Sequence, residues 1–370
     1  MKCLLPQLAS LLLIGTVVFL SSCIRDEAEN AEADILTASV EDITLSQNPV
    51  VTNSEVRFYV NAWDDRTALA PTFTITEGAT IEPASGTVRD FTTPQTYTVT
   101  SQDGQWKKTY QVSFLSNETT SDYHFDRMKY YSYTDWSGVT KNYFHILYEL
   151  PESGDSLFWS SGNAGFMITS SSSPAEDYPT ALCDTGYVGK CAKLVTRSTG
   201  YLGQMFKAPI AAGNIFLGDF QIDLSNTALS THFGVPYIYQ PLAFEGYYKY
   251  TPGSQVTDKN LQPVDKTDSC SIYAVFYEVT DDVPYLNGTN SLTSENIVLK
   301  AELKDQQADG QWHHFVIEFE AQNGKTVDAE KLKNGQYSLA IVASSSKGGA
   351  TYVGAVGSTL YVDEFKIYHE

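Results

Sequence analysis

The sequence predicts an all-β protein made of two β-sandwiches, a smaller one followed by a larger one. Short runs in which apolar and polar residues alternate recur along the chain, for example Glu55–Val60 and Tyr361–Tyr368. Turn dipeptides such as Asn287-Gly288 and Asp309-Gly310 separate the runs, and no long segment keeps a helical period. Strands of period two divided by such turns are typical of antiparallel sandwiches.

The composition supports a folded β-protein and excludes one class of partner. Hydrophobic residues make up 42% of the 370 residues and charged residues 18%, so the chain has enough apolar material for a core. The 24 Tyr and 18 Phe favour strands over helices. The formal charge is −20 and no block of Lys or Arg stands out. Because phosphate binding depends on clustered cations, the sequence predicts no nucleic-acid partner.

Residues 1–22 have the pattern of a secretion signal. Lys2 precedes an apolar run at residues 11–20, which is shorter than the about 20 apolar residues of a membrane-spanning helix. The run ends in Leu20-Ser21-Ser22-Cys23, which resembles a bacterial lipobox. That resemblance implies cleavage before Cys23, a diacylglycerol on its thiol, and membrane attachment through lipid alone. The alternative is an ordinary secretory signal with an incidental cysteine.

Residues 23–34 are predicted to form a solvated tether. Five acidic residues fall between Ile24 and Asp34 with almost nothing apolar, a composition that favours a flexible segment. The segment also resembles the acidic export tags that follow the acylated cysteine in surface lipoproteins of Bacteroidetes. The resemblance implies a lipoprotein of the outer membrane that is exposed on the cell surface, with attachment facing the periplasm as the alternative.

The domain boundary is predicted near Ser116–Asp122, where polar residues interrupt the strand pattern. Residues 35–116 are enough for one seven-strand sandwich, and residues 121–370 for a larger jelly roll with decorated loops. One short helix is expected around Ala329–Lys333.

Five blocks of the first unit carry a resemblance: Leu69–Phe73, Gly78–Gly86, Asp90-Phe91, Tyr97–Thr100 and Trp106–Tyr110. They resemble the immunoglobulin-like modules at the front of Bacteroidetes surface lipoproteins. The resemblance implies an Ig-like β-sandwich that holds the next domain away from the membrane.

Six short blocks keep their order along the second unit: Trp159–Gly165, Ala192–Thr196, Ala212–Gly218, Phe233–Pro236, Gly246–Tyr250 and Gly354–Glu364. Together they resemble the PCMD family, the putative carbohydrate metabolism domain of Bacteroidetes lipoproteins, over roughly residues 122–370. The resemblance implies a jelly roll like that of galactose-binding and other carbohydrate-binding modules, with a role that involves carbohydrate.

Aromatic and polar side chains in the second unit are the candidate carbohydrate-binding residues. Flat rings match the C–H-rich faces of a neutral sugar, and amide, carboxylate and backbone groups match its hydroxyl edges. Trp159 with Asn163 forms one candidate cluster. The segment from Phe233 to Tyr250 supplies the other candidates, which are Tyr237, Tyr239, Glu245, Tyr247, Tyr248 and Tyr250. Alternation would pair Tyr237 with Tyr239 and Tyr248 with Tyr250 as platforms, unless these rings line the core or rim of the sandwich.

A catalytic role has less support from the residues. No hydrolase or nucleotide-binding motif is recognised, although glycoside hydrolysis requires only two suitably spaced carboxyl groups. Adjacent His313 and His314 point to opposite faces of a strand, so they are not predicted to bind one metal together. A glycan-active enzyme, a glycoside hydrolase or lyase, is kept as the alternative function. The candidate carboxylates are Glu149, Asp219, Asp223, Glu245, Asp268 and Glu278.

Three cysteines remain once Cys3 and Cys23 are set aside, and an odd number cannot form a fully paired framework. Cys183 and Cys191 could close a small disulfide loop, but buried reduced thiols are the interpretation that we favour. Asp363 lies in the predicted final strand, where many carbohydrate-binding jelly rolls place a structural calcium ligand. No other cofactor is predicted.

The sequence therefore predicts a lipid-anchored protein of the outer membrane that binds a poly- or oligosaccharide through its C-terminal sandwich. It would capture glycan beside the enzymes, transporters and other partner proteins of a polysaccharide-utilisation system. A structural or adhesion component is a further alternative, although no donor-strand segment is recognised.

Overall fold

The computed structural model describes residues 30–41, 43–45, 48–60, 64–116, 120–134, 137–151, 156–333 and 335–370. These residues form 28 β-strands and three short α-helices, so the prediction of an all-β protein is confirmed. The predicted signal at residues 1–22 and the predicted acylation site, Cys23, lie outside the described residues.

The first seven strands fold around a core of their own. They are β1 (Ile35–Ser39), β2 (Val50–Val51), β3 (Glu55–Val60), β4 (Thr72–Ile75), β5 (Thr80–Glu82), β6 (Gln95–Thr100) and β7 (Lys107–Ser116). β1 pairs with β4, and the others form a sheet in the order β2-β3-β7-β6-β5, in which β3 and β7 are parallel. Alternation along β3 buries Val56, Phe58 and Val60, and the Phe58 ring stacks on Phe114 with centroids 4.4 Å apart.

The remaining strands belong to the larger second unit. Its first part contains β8 (Asp122–Tyr123), β9 (Arg127–Thr134), β10 (Thr140–Glu149), β11 (Leu157–Ser160), β12 (Thr180–Cys183), β13 (Cys191–Val195), β14 (Arg197–Ser198), β15 (Ile210–Ala211), β16 (Asn214–Phe220), β17 (Thr231–Phe233) and β18 (Val235–Pro236). Its second part contains β19 (Pro241–Thr251), β20 (Val256–Thr257), β21 (Pro263–Val264), β22 (Ser271–Glu278), β23 (Ile297–Glu302), β24 (Trp312–Glu318), β25 (Glu320–Ala321), β26 (Tyr337–Ser344), β27 (Gly354–Ala355) and β28 (Thr359–His369).

Two antiparallel sheets of this unit enclose the main core. The larger sheet runs β25-β23-β22-β26-β16-β11-β10-β9 with β17 and β18 attached, and the smaller runs β12-β13-β28-β19-β24 with β8 attached. Leu147, Ile215 and Ile341 from the larger sheet share this core with Phe244 and Leu360 from the smaller one. This is the two-layer packing of a β-sandwich. Two small sheets, β14-β15 and β21-β20-β27, complete the unit.

Three short α-helices interrupt the strands: α1 (Asn163–Ser170), α2 (Gly200–Met205) and α3 (Ala329–Lys333). The helix expected around Ala329–Lys333 is confirmed, whereas the sequence does not predict α1 and α2. These two helices have only eight and six residues, so neither gives a sustained helical period that the sequence could show. Within the described ranges, no helix is long and apolar enough to cross a membrane.

Candidate functional site

The outer face of the smaller sheet carries a cluster of aromatic rings. Lys249 on β19 is in register with Trp312 on β24 and with Tyr361 on β28. Tyr247, two residues before Lys249, points to the same face because strand side chains repeat every second residue. Tyr187 reaches this face from the loop between β12 and β13 and stacks on Tyr247. We call Tyr187, Tyr247, Trp312 and Tyr361 the aromatic face.

The four rings of the aromatic face lie close to one another. The Tyr187 and Tyr247 rings have centroids 3.8 Å apart and planes 13° apart. The Trp312 centroid lies 6.1 Å from that of Tyr187 and 6.4 Å from that of Tyr361, both in edge-on contact. Tyr187 is 48% exposed, and the other three side chains are half-buried. The arrangement offers several ring surfaces to a ligand with C–H-rich faces.

A lysine lies between two of these rings. The Nζ of Lys249 is 4.2 Å from the centroid of the Tyr361 ring and 5.2 Å from that of the Trp312 ring. Both distances are within the cation–π range of about 6 Å. The ammonium therefore adds hydrogen-bond donors for ligand oxygens to the ring surfaces.

The loop that presents Tyr187 is held by Asp363. The backbone N–H groups of Tyr187 and Val188 donate to Oδ2 of Asp363 at 2.7 and 2.9 Å. Gly186 allows the close approach, because a Cβ there would lie 2.2 Å from the carbonyl oxygen of Lys190 and 2.6 Å from Oδ2 of Asp363. The Tyr187 ring is thus positioned in the free protein, which lowers the ordering cost of binding.

The surroundings of Asp363 do not fit the predicted calcium site. Its side chain is fully buried, and its other oxygen, Oδ1, accepts from the backbone N–H of Glu364 at 2.9 Å. Calcium requires about six to eight oxygen ligands, whereas the groups bonded to this carboxyl are N–H donors. Within the described residues, no group of three or more His, Cys, Asp or Glu is arranged to hold a metal ion. Asp363 instead anchors the Tyr187 loop.

We expect the unfolding free energy to depend on the protonation of Asp363. Burial outweighs the N–H groups that donate to this carboxyl and raises its pKa from 3.8 to about 7. The folded chain then binds the proton more tightly than the unfolded chain, so the stabilising contribution is complete below about pH 4 and is lost as the pH rises through about 7. Relative to Asp363→Asn, the wild type should lose on the order of 2–4 kcal/mol between about pH 4 and pH 8 in urea unfolding. Parallel pH profiles for the two proteins would contradict this assignment.

Glu245 forms a polar edge beside the aromatic face. Its Oε2 accepts from the hydroxyl of Tyr368, and its Oε1 lies 2.6 Å from Nε2 of His314. The hydrogen bond from Tyr368, followed by that from His314, lowers the pKa of Glu245. A carboxylate held in its ionised form can accept from a ligand hydroxyl, but it does not suit a general acid, which needs a raised pKa.

The eight residues predicted to bind carbohydrate are not brought together. The structure places Glu245 and Tyr247 side by side on the outer face of the smaller sheet. Tyr239 lies elsewhere, half-buried, with its ring stacked on that of His369 at 4.3 Å. A surface ligand does not reach a side chain enclosed in the core. The prediction is therefore wrong for five residues that are at most 3% exposed: Trp159, Asn163, Tyr237, Tyr248 and Tyr250.

The buried residues have structural partners in place of a ligand. The indole N–H of Trp159 donates to Oε1 of Glu149 at 3.1 Å. The Asn163 side chain donates to the carbonyl oxygen of Thr180 and accepts from its N–H, at 2.7 and 3.0 Å, and so joins the start of α1 to β12. The three tyrosine rings pack in the main core.

Sequence reasoning missed Tyr187, Lys249, Trp312 and Tyr361 as site residues. One signal is available, because alternation along β24 puts Trp312 on the same face as His314, and the structure confirms this alternation. Lys249 and Tyr361 become neighbours of Trp312 only through the pairing of three strands, and Tyr187 reaches them from a loop. No short-range pattern in the sequence indicates these contacts.

A cleft of about 670 Å³ lies on the outer face of the larger sheet. Side chains of β16, β22 and β26 form its floor, and α1, α2 and the loops at residues 222–231 and 288–293 contribute to its sides. Rings and hydroxyl groups line it, among them Phe206, Phe220, Tyr273 and Ser344. None of the described residues that line it is Asp or Glu, so the carboxylate pair of a glycoside hydrolase is not found in this cleft.

Cys183, Cys191 and Cys270 are free thiols. Cys183 and Cys191 lie opposite each other on β12 and β13, and their sulfur atoms are 3.7 and 3.5 Å from the carbonyl oxygen of Thr185. Burial raises the pKa of Cys191 and raises that of Cys270 to about 12. These observations agree with the interpretation as reduced thiols.

The two cores and their sheets define a two-unit β-sandwich protein. The chain belongs to the family described as putative carbohydrate metabolism domain, PCMD, whose model matches residues 124–368, so the resemblance stated from the sequence is confirmed. A second family model, described as SGBP, N-terminal, matches residues 35–113. That match indicates a surface or secreted location.

Two solved structures are similar to the chain over most of their own length. The crystal structure of a protein named putative glycoside hydrolase from Bacteroides thetaiotaomicron is 42% identical with a TM-score of 0.82, and the match covers 94% of this chain and 99% of that one. Another protein of the same name, from Bacteroides vulgatus, is 37% identical with a TM-score of 0.61, covering 68% of this chain and 98% of that one. A comparison with curated proteins finds no similar sequence.

Proposed function

We propose that the chain is a cell-surface lipoprotein that captures carbohydrate through its aromatic face, within a system for polysaccharide utilisation. Acylation of Cys23 would attach it to the outer membrane, with residues 23–34 as the tether. The observation that carries the proposal is the grouping of four accessible rings with Lys249 and Glu245 on one sheet face. The match to a carbohydrate metabolism domain over residues 124–368 supports the ligand class.

The chemistry of this face suits a sugar. The C–H groups of a sugar ring pack on Tyr and Trp rings, while its hydroxyl groups accept from Lys249 and donate to Glu245. Strands carry three of the rings, and the anchored loop carries the fourth. Because these groups are already ordered, little conformational entropy is lost when a ligand binds.

Glycoside hydrolysis is a second candidate, because the two similar crystal structures are named for it. The place for it is a cavity of about 600 Å³ that is lined by Asp122, Asp126 and Glu149. Burial raises the pKa of Glu149, as a general acid requires. The Glu149 oxygens, however, already accept from the indole of Trp159 and from two backbone N–H groups, so this carboxyl supports the fold.

Affinity electrophoresis of the mature chain against plant, host and microbial polysaccharides tests the proposal, with Cys23→Ser included to remove the acylation site. We expect at least one polysaccharide to retard the protein. Tyr247→Ala should weaken that binding about 10-fold, because one lost stacking ring costs roughly 1.4 kcal/mol. Tyr201→Ala is the matched control, since Tyr201 is an exposed tyrosine of α2 outside the aromatic face.

Unchanged mobility with every polysaccharide would contradict carbohydrate capture, as would equal losses in the two tyrosine variants. The same incubations are assayed for new reducing ends. Their appearance without any retardation would favour the hydrolase function instead.

A further inference from the structure

We infer that the aromatic face selects anionic glycans, those bearing carboxylate or sulfate groups, through Lys193 and Lys249. This inference rests on the proposed carbohydrate capture and names the chemistry of its ligand. It starts from a row of paired residues across four neighbouring strands: Lys193 on β13, Tyr361 on β28, Lys249 on β19 and Trp312 on β24. Residues directly opposite each other in a sheet share one face, so cations and rings alternate across this row.

Among the described residues, no carboxylate forms an ion pair with either lysine of this row, so both ammonium groups can bind an acidic ligand. The lysine ion pairs in these parts of the chain are formed by residues other than Lys193 and Lys249. Lys366 on the same sheet differs, because its Nζ lies 2.7 Å from Oδ1 of Asp122. Lys193 points away from the core, since Ala192 and Leu194 on either side of it are buried.

The local charge of the row is opposite to that of the whole chain. The formal charge of −20 repels a polyanion from the average surface, so a positive site must be built locally. The carboxylates of Glu245 and Asp363 on this sheet form no ion pair with the two lysines: Glu245 accepts from Tyr368 and lies against His314, and Asp363 accepts from the N–H groups of the Tyr187 loop.

The row is also wide enough for more than one acidic group. Lys193 and Lys249 are two strand spacings apart, which is about 9.5 Å across the sheet. Acidic groups along one glycan chain can therefore form charge-assisted hydrogen bonds with both ammonium groups while the sugar rings pack on Tyr361 and Trp312.

The test uses pairs of polymers that share a sugar backbone and differ in whether it carries acidic groups: polygalacturonate against its fully methyl-esterified form, and dextran sulfate against dextran. Affinities are measured by calorimetry for the wild type, for the Lys193→Met/Lys249→Met double variant and for Lys366→Met. Methionine keeps an unbranched apolar side chain on the rings and removes the charge. We expect the wild type to bind the charged member of one pair at least about 10-fold more tightly than the neutral one, and the double variant to lose that ratio. Lys366→Met should leave the ratio unchanged.

A preference for polygalacturonate over its methyl ester would indicate carboxylate recognition, and a preference for dextran sulfate over dextran would indicate sulfate recognition. Equal affinities for the charged and neutral members of both pairs would overturn the anionic selectivity. The carbohydrate-capture proposal would still stand if a neutral polysaccharide of the broader panel retards the protein. Failure of the whole panel to bind would overturn both. A preference that persists in the double variant would place charge recognition elsewhere and overturn the assignment to this row.

Discussion

Trp312→Ala is expected to weaken polysaccharide binding at least about 30-fold, which corresponds to about 2 kcal/mol. Trp312 has the largest ring of the aromatic face and contacts Tyr187, Tyr361 and Lys249. Its removal eliminates one stacking surface and also loosens the three groups around it. Tryptophan is among the residues that are commonly the costliest to truncate in a binding surface. Titration calorimetry measures this loss of affinity, with the polysaccharide that retards the wild type in affinity electrophoresis as the ligand.

Trp312→Phe and a stability measurement separate lost recognition from lost folding. Trp312 points outward from β24, whereas Phe315 on the same strand lies in the core. The unfolding free energy of Trp312→Ala should therefore change by less than about 1 kcal/mol. Phenylalanine keeps a smaller ring, so its variant should lose less affinity. A loss below about 3-fold for Trp312→Ala would show that the aromatic face does not hold the glycan.

Asp268→Ala is expected to lower the unfolding free energy by about 3 kcal/mol or more. The Oδ2 atom of this buried side chain accepts from the hydroxyls of Ser346 and Ser358 at 2.6 and 2.7 Å and from the N–H of Ala355 at 2.8 Å. Its Oδ1 accepts from the N–H of Ser269 at 2.9 Å. Alanine leaves these donors without their acceptor in a site that water does not reach, and the desolvation cost of each donor is then uncompensated.

Asp258→Ala provides the matched control for this stability effect. Asp258 also accepts backbone N–H bonds, from Asn260 and Gln262 at 2.8 Å each, but these bonds lie in a solvent-exposed turn. Water replaces the lost acceptor there, so we expect a change below about 1 kcal/mol. Urea unfolding of both variants measures the contrast. Equal losses would mean that burial of the Asp268 network does not determine its contribution.

Strand β19 shows how far local patterns lead toward the site. Alternation indicates that Tyr247 and Tyr248 point to opposite faces, but it does not indicate which face is buried. Pairing with β24 and β28 decides this, and it encloses Phe244 and Tyr248 while it leaves Tyr247 on the outside. A shift of one residue in register would exchange the two tyrosines, because the side-chain period of a strand is two.

By itself, the sequence determined the fold class and the family, since alternation and turn dipeptides are local signals. The predicted Glu55–Val60 is strand β3, and the predicted Tyr361–Tyr368 lies within β28. The tertiary structure alone decided which rings face solvent and which groups meet. Tyr187, Lys249 and Trp312 are 62 and 63 positions apart along the chain, and they come together only because their strands and loop share one sheet. Burial and strand pairing depend on contacts between such distant segments, so no local pattern specifies them.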